Sequence, residues 1–171
     1  MKHAITYVVG EKPADPSVLR QLAVGLGTAL TGHKVFIVPN QTMVSTLRIR
    51  DAVPLDESAY LSAPVRHGDI VVYRSVKYDG AWLPSRVIGL PNETVEIRGR
   101  KLCIDGVEKP EPYVDADSAE AKHSRTLRAV LVPPDHVFLM GDFRDLSEDS
   151  RFIGAVHQNL LVGRIAIGEN K

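Results

Sequence analysis

Short runs of branched and aromatic residues, separated by turns that contain glycine or proline, recur along most of this chain. Runs of this kind are typical of β-strands, because branched and aromatic side chains fit a half-buried pleated surface. Many short strands with this punctuation favour an all-β barrel or sandwich. The predicted strands are Val35–Val38, Ile70–Tyr73, Arg86–Ile88, Thr94–Ile97, Lys101–Ile104, Ala129–Val132, Val137–Met140 and Leu161–Ile167.

Two turn signals and one polar segment add detail to this prediction. Arg98-Gly99-Arg100 lies between two alternating runs and predicts a hairpin, and Asp105-Gly106 closes the second run with another turn. Residues 108–127 are rich in Glu, Asp, Ala, Lys and Ser. We therefore expect a polar surface loop there, as the least ordered part of the β domain.

The first 34 residues have a different pattern and predict an extension of one strand and one helix before a β domain over 35–171. The strand is His3–Val9, and the helix, over about 16–31, has Asp15 as N-cap, Pro16 at the first helical position and Gly32 as a stop. Its apolar residues recur at spacings of three and four, which gives one apolar face. These residues are Leu19, Leu22, Ala23, Leu26, Ala29 and Leu30.

That helix could pack on the barrel, or its apolar face could lie on a membrane surface or a partner helix. Its apolar stretch, Val18–Leu30, is interrupted by Arg20 and Gln21. A membrane span needs about 20 mainly apolar residues, so the sequence predicts no transmembrane helix in this chain. It does not resemble a cleavable signal peptide either.

Charge and cysteine content exclude several classes of function. The 171 residues include 21 Lys and Arg and 21 Asp and Glu, with no run of five like charges, so a nucleic-acid partner is not expected. The single cysteine, Cys103, lies in an apolar run and cannot form an internal disulfide. No His or Cys spacing suggests a metal site, and the sequence predicts no cofactor.

Four motifs carry a more specific signal. Residues 141–151 read Gly-Asp-Phe-Arg-Asp-Leu-Ser-Glu-Asp-Ser-Arg, which resembles the last box of bacterial signal peptidase I, G-D-N-x-x-x-S-x-D-S-R, with Phe143 in place of Asn. Upstream, residues 64–73 resemble P-x-R-G-D-I-V-V-F with one inserted residue and with Tyr73 in place of the final Phe. Residues 85–97 are similar to K-R-V-I-G-L-P-G-D-x-V-E-I, and residues 37–47 to the nucleophile box I-P-S-x-S-M-x-P-T-L.

The resemblance implies a peptidase fold, but the residues that would do the chemistry are changed. Family members cleave a peptide bond with a Ser hydroxyl that a neutral Lys amine activates; Thr42 and Ser85 stand at those two positions. A hydroxyl is a poor nucleophile without an adjacent base, and a desolvated Lys can be that base. Ser85 has no amine, so we expect a degenerate catalytic site.

The resemblance also assigns supporting roles. Asn40 stands where a polar side chain helps to stabilise the oxyanion, and its NH2 group could donate there. Ser147 would lie beside the base position and hydrogen-bond Ser85, while Asp149 and Arg151 would support the site through a salt bridge. The substrate-binding positions would be Pro39, Gln41, Met43 and Ile88.

Substitutes for the missing base are limited. Lys77, Lys101, Lys122 and the six His residues exist, but Pro84 and Arg86 beside Ser85 offer no base. His67 and Lys77 are the nearest in sequence to the motifs, and a solvated surface residue is the simpler interpretation of each.

Three functions remain open at this stage. The chain could bind an extended peptide or protein segment by strand addition without cleaving it. It could be an endopeptidase that cleaves after small residues with Thr42 as nucleophile. It could also be a structural barrel that binds partners through the helix over 16–31. A bacterial protein is expected, either in the cytoplasm or, if an N-terminal anchor has been removed, at the outer face of the inner membrane.

Overall fold

The computed structural model describes residues 34–166, apart from the side chains of Ala116 and Lys122. The predicted N-terminal strand and helix lie outside these residues. Within them the chain forms strands joined by short turns and single helical turns. The strands are β1 (Lys34–Ile37), β2 (Ala52–Asp56), β3 (Ile70–Arg74), β4 (Trp82–Gly89), β5 (Thr94–Arg98), β6 (Lys101–Ile104), β7 (Val107–Lys109), β8 (Thr126–Leu131), β9 (His136–Met140), β10 (Val156–His157) and β11 (Leu161–Ile165).

The strands form two antiparallel sheets, which confirms the all-β prediction. The larger sheet has the order β1-β2-β11-β3-β4-β9-β10, and the smaller has the order β7-β6-β5-β8. All eight strands predicted for the β domain are present, although β4 begins four residues before the predicted Arg86 and β8 three residues before the predicted Ala129. Three strands were not predicted: β2, which contains Pro54, the wholly exposed β7 and the two-residue β10.

Both predicted turns close two-residue hairpins. Arg98 pairs with Lys101, and the intervening Gly99 and Arg100 both have positive φ, at 55° and 74°. Ile104 pairs with Val107 across Asp105 and Gly106, whose φ values are 50° and 79°. Two successive residues with positive φ match the twist of flanking antiparallel strands, which is why the short connections fit.

The larger sheet is buried on both faces. Ile70 and Val72 of β3 face a cluster that contains Phe36, Met43 and Leu55, whereas Val71 and Tyr73 face a second cluster with Val87 and Leu139. Side chains alternate along a strand, so β3 has core on each side. A third cluster, around Phe138 and Ile97, joins the two sheets. Strand β3 contributes to the first two clusters, and β9 to the second and third, so both strands are packed from both sides.

The helices are single turns: α1 (Ala59–Ser62), α2 (Lys122–Arg125) and α3 (Ser150–Ile153). In residues 34–166 there is no helix with the length and apolar character that a membrane crossing requires. Residues 108–127 are more structured than the predicted polar loop. They include the end of β7, a 3-10 turn over Ala116–Ser118 and α2, and Ser118, Ala119 and Ser124 are buried.

Candidate functional site

The turn after β1 carries Thr42 and packs directly on the last motif. The Thr42 carbonyl oxygen accepts the Phe143 N–H at 2.9 Å and lies 3.2 Å from Ser147 Oγ. Gly141 makes this approach possible, because a Cβ at that position would lie 1.9 Å from Ser147 Oγ and 2.7 Å from the Thr42 oxygen. The nucleophile box and the last box therefore meet at a point where only glycine fits.

The polar groups of Thr42 are held by Asn40. Thr42 Oγ1 donates to Asn40 Oδ1 at 2.7 Å, and the Thr42 N–H donates to the same oxygen at 3.2 Å. A backbone N–H can only donate, so the amide oxygen of Asn40 must face Thr42. The Asn40 amide oxygen thus accepts from both donors of Thr42, and the donation of its NH2 group to an oxyanion stays a prediction.

Ser85 lies on β4, directly opposite Val71 of β3, and is 4% exposed. Ser147 does not form the hydrogen bond to Ser85 that the sequence predicted. Its hydroxyl instead lies 2.7 Å from the Phe143 carbonyl oxygen and 3.2 Å from that of Thr42. The 3-10 turn over Arg144–Leu146 brings Ser147 back to the Phe143 carbonyl group, so the backbone supplies the acceptors of the Ser147 hydroxyl.

Part of β4, beside Ser85, has an edge that no other strand of residues 34–166 pairs with. β4 pairs with β3 from Trp82 to Arg86, but its pairing with β9 begins only at Arg86. The Val87 N–H donates to the Asp69 carbonyl group of the segment that leads into β3. Because the hydrogen-bonding direction alternates along a strand, the backbone N–H and carbonyl groups of every second residue of β4 point toward β3, and those of the residues between them point toward the opposite edge. Trp82 and Pro84 thus face an edge that no strand of residues 34–166 covers. Proline is tolerated at Pro84 because its missing N–H falls on this edge.

A buried ion pair lies next to Ser85 and was not predicted. Arg86 Nε and Nη2 donate to Asp142 Oδ1 and Oδ2 at 2.8 and 2.7 Å, and Nη1 donates to the Gly68 carbonyl oxygen at 2.9 Å. The Thr46 hydroxyl donates to the same Asp142 carboxylate. The guanidinium also lies 3.9 Å from the centre of the Tyr113 ring. These contacts join the nucleophile box, β4 and the last motif.

Asp149 and Arg151 form a second buried pair, with Arg151 Nε 2.8 Å from Asp149 Oδ1. Both side chains are almost completely inaccessible, at 1% and 2% exposure. Asp149 also accepts the Gly141 N–H at 3.0 Å, and Arg151 donates to the Arg144 carbonyl oxygen at 2.6 Å. The pair consequently fixes the backbone on both sides of the short 3-10 turn in the last motif.

Arg144 and Glu111 form a third pair, which ties residues 108–127 to the site. Arg144 Nη1 and Nη2 donate to the two oxygens of Glu111 at 3.0 and 2.5 Å, and Nε donates to the Gly141 carbonyl oxygen at 3.0 Å. Burial alone would lower the pKa of Arg144, but the Glu111 carboxylate outweighs it and raises that pKa. Arg144 is an invariably charged anchor within the motif.

Lys77 and Lys101 are each held by a carboxylate. The Lys77 ammonium group pairs with Glu148, whose hydrogen bond raises the pKa of Lys77. Glu108 likewise raises the pKa of Lys101, at 2.9 Å. His67 has both ring nitrogens engaged, Nδ1 by the Ile88 carbonyl oxygen and Nε2 by Glu93, each at 2.9 Å. None of these groups is placed as a free base.

The four predicted substrate-binding positions divide into two kinds. Gln41 is exposed and Pro39 is half-buried, so both have surface to offer a ligand. Met43 and Ile88 are 0% and 2% exposed and belong to the core. Met43 Sδ in addition accepts the Asp142 N–H at 3.4 Å. In residues 34–166, no three His, Cys, Asp or Glu side chains group as metal ligands would.

Comparison with known proteins gives one consistent result. The family model described as "Signal peptidase, peptidase S26" matches residues 17–168. Signal peptidase I of Leptolyngbya laminosa is 30% identical over 153 residues, which cover 85% of this chain and 72% of that protein. Signal peptidase I S of Bacillus subtilis strain 168 is 34% identical over 122 residues, 68% and 65% of the two chains. The crystal structure of a signal peptidase I from Enterococcus faecalis V583 is 30% identical with a TM-score of 0.52, and the match covers 61% of this chain and 98% of that one.

Proposed function

This chain belongs to the signal peptidase family, peptidase S26, and from that premise we propose that it binds an extended peptide without hydrolysing it. The observation that carries the proposal is the double hydrogen bond of Thr42 to Asn40 Oδ1. An amide oxygen accepts a hydrogen bond but does not take a proton at neutral pH, so it cannot activate the Thr42 hydroxyl.

The state of the groups that could act as a general base supports the same conclusion. A general base must lie within hydrogen-bond reach of the proton that it removes. Ser85 carries no amine, and the ammonium groups of Lys77 and Lys101 are held by Glu148 and Glu108. In hydrolases whose nucleophile and base act as a unit, loss of one member costs about a millionfold in turnover.

The free edge of β4 supports peptide binding. An extended peptide adds to a sheet through backbone hydrogen bonds, and Trp82 can supply an N–H and a carbonyl group there while Pro84 supplies only a carbonyl group. The segment after Gln41 and Thr42 is linked to β4 at two points: Met43 belongs to the cluster against which Trp82 packs, and Thr46 and Arg86 share the Asp142 carboxylate. A bound peptide would pass between the turn and the edge.

The first test is cleavage of a leader-type peptide with Ala at the first and third positions before the scissile bond. The parent chain is compared with Thr42→Ala and with a double variant, Thr42→Ser with Ser85→Lys. We expect no cleavage by the parent or by Thr42→Ala. Activity gained by the double variant would support an intact groove that lacks only its reactive pair. Cleavage by the parent that Thr42→Ala abolishes would establish the alternative, an endopeptidase with Thr42 as nucleophile.

The second test is binding of the same peptide with both ends blocked. Trp82 is the only tryptophan of the chain, so its fluorescence reports on the free edge directly. We expect a saturable change in emission, together with NMR shifts at residues 40–47 and 82–85, in the parent and in Thr42→Ala alike. Shifts confined to residues 16–31 would instead favour the structural barrel that binds through its N-terminal segment.

A further inference from the structure

Strands β1 and β2 present an apolar face on one side of the larger sheet. Residues that are directly opposite in an antiparallel pair share a face, and the register places Val35 opposite Pro54. Ile37 and Ala52 form the next pair on the same face, because side chains alternate along a strand. All four residues are half-buried, and none of them belongs to the three core clusters of residues 34–166. We call these four residues the outer face of β1 and β2.

The inner face of the same two strands is already covered. Phe36 and Leu55 on that face belong to the first core cluster. Met43 and Leu47, from the turn that follows β1, are members of the same cluster. β1 is also the last strand of the larger sheet, whose order begins β1-β2-β11. A further element that packs on these strands has the outer face available to it, because the chain itself fills the inner one.

The segment that precedes β1, which lies outside the described range, is tied closely to this face. Its sequence predicts a helix over 16–31. Only Gly32 and His33 separate the end of this predicted helix from Lys34, where β1 begins. An extended chain spans about 3.3–3.6 Å per residue, so residue 31 can lie no more than about 11 Å from Lys34. The end of the predicted helix is thus confined to the neighbourhood of β1.

The predicted helix matches the outer face in character and in size. The apolar residues from Leu19 to Leu30 that recur at spacings of three and four give it one apolar side. Gly25 and Gly27 weaken a helix of this length, which is marginal in water unless its apolar side is packed. A helix is about 10–12 Å in diameter and neighbouring strands lie about 4.8 Å apart, so one helix covers a face of two strands.

We propose that the predicted helix over 16–31 packs with its apolar side on the outer face of β1 and β2. A short tether gives the segment an effective concentration of about a millimolar or more, so this chain's own segment occupies the face ahead of a second copy or a lipid surface. β1 leads directly into the turn that carries Asn40 and Thr42, so the packed helix also supports the base of that turn. The proposal does not rest on peptide binding at the β4 edge.

The test is NMR of the full chain with labelled methyl groups of Ile, Leu and Val. We expect nuclear Overhauser effects between the methyl groups of Val35 and Ile37 and those of leucines within 19–30. Leu26→Asp should abolish these effects, because a carboxylate would be forced against an apolar surface. Hydrogen exchange of the β1 amides should then become about tenfold faster or more, since their local protection depends on this packing. Thr28→Asp is the matched control, because residue 28 lies on the opposite side of the predicted helix, and it should leave both measurements unchanged.

Absence of these methyl effects in the parent chain would overturn the proposal, whatever the two variants do. It would also be overturned if the effects occurred only between differently labelled copies, or only after addition of phosphatidylglycerol vesicles. Equally fast exchange in the two variants would likewise contradict packing through one side of the helix. Binding of the blocked peptide is measured at Trp82, which packs against the first core cluster. Failure of the proposed function is for that reason distinguishable from failure of this packing.

Discussion

Arg86 and Asp142 form a two-point ion pair in the interior, with Nε–Oδ1 and Nη2–Oδ2 distances of 2.8 and 2.7 Å. The Asp142 side chain is completely inaccessible and that of Arg86 is 11% exposed. A buried pair of charges is not by itself a source of stability, but removal of one partner leaves the other charge without compensation. This pair is thus a condition for the site to keep its shape.

Replacement of Asp142 should be one of the most damaging single changes. We expect Asp142→Ala to lower the free energy of unfolding by about 3–5 kcal/mol, because the Arg86 guanidinium would remain buried without its carboxylate. Denaturant unfolding measures this. Glu108→Ala, which breaks an exposed pair with Lys101, is the control and should change stability little. If both variants lost the same free energy of unfolding, the effect of Asp142→Ala would not come from leaving a buried charge unpaired.

Gly141→Ala should disrupt the contact between the two motifs by steric conflict. The new Cβ would meet Ser147 Oγ at 1.9 Å and the Thr42 oxygen at 2.7 Å, so we expect a loss of about 3 kcal/mol or more. Gly99→Ala has open space but a positive φ of 55°, and should lose only about 1 kcal/mol. The stabilities of the Gly141→Ala and Gly99→Ala variants are compared by thermal unfolding. Addition of Ser147→Gly to Gly141→Ala should recover part of the loss, and no recovery would argue against this clash.

Local pattern was sufficient for most of the fold. The hairpin of β5 and β6 was predictable because alternation and turn chemistry lie within a dozen residues, and Gly99 and Arg100 adopt the required positive φ. β2 was not predictable from its own sequence, since Pro54 interrupts it and its pairing with β1 and β11 depends on distant residues. β10 is two residues long and exists only through its partner β9.

The motifs indicated which segments carry the candidate site, but not which of their atoms would contact one another. The motifs pointed to Thr42, Ser85 and the last box. Which atom of Asn40 faces Thr42 depends on the conformation of the turn, and no pattern of residue types encodes it. The pair of Arg144 and Glu111 joins residues 33 apart in sequence, across a segment whose composition indicated only a polar loop.

Ser45 offers a stabilising change. Its Oγ is a buried side-chain oxygen without a hydrogen-bond partner among the described residues. Ser45→Ala should raise the free energy of unfolding by about 1 kcal/mol, because the unpaired hydroxyl would no longer be kept from water. Ser147→Ala is the matched comparison and should lower it by about 1 kcal/mol, since that hydroxyl contacts two carbonyl oxygens. If the free energy of unfolding changed in the same direction in both variants, the contrast between an unpaired Ser45 hydroxyl and a hydrogen-bonded Ser147 hydroxyl would be wrong.

Asp145 should make the protein sensitive to acid. Burial tends to raise its pKa, but hydrogen bonds from the Ser124 hydroxyl and from the Ala121 and Glu120 N–H groups outweigh that effect and lower it. A carboxyl group with a folded pKa below its unfolded value of about 3.9 stabilises the folded state above that value, and the contribution is lost as the pH falls through the folded pKa. We expect Asp145→Asn to flatten the loss of stability below about pH 4 in denaturant titrations. Asp79→Asn, at an exposed turn residue, should leave that slope unchanged, and an equal flattening there would show that the acid sensitivity has another origin.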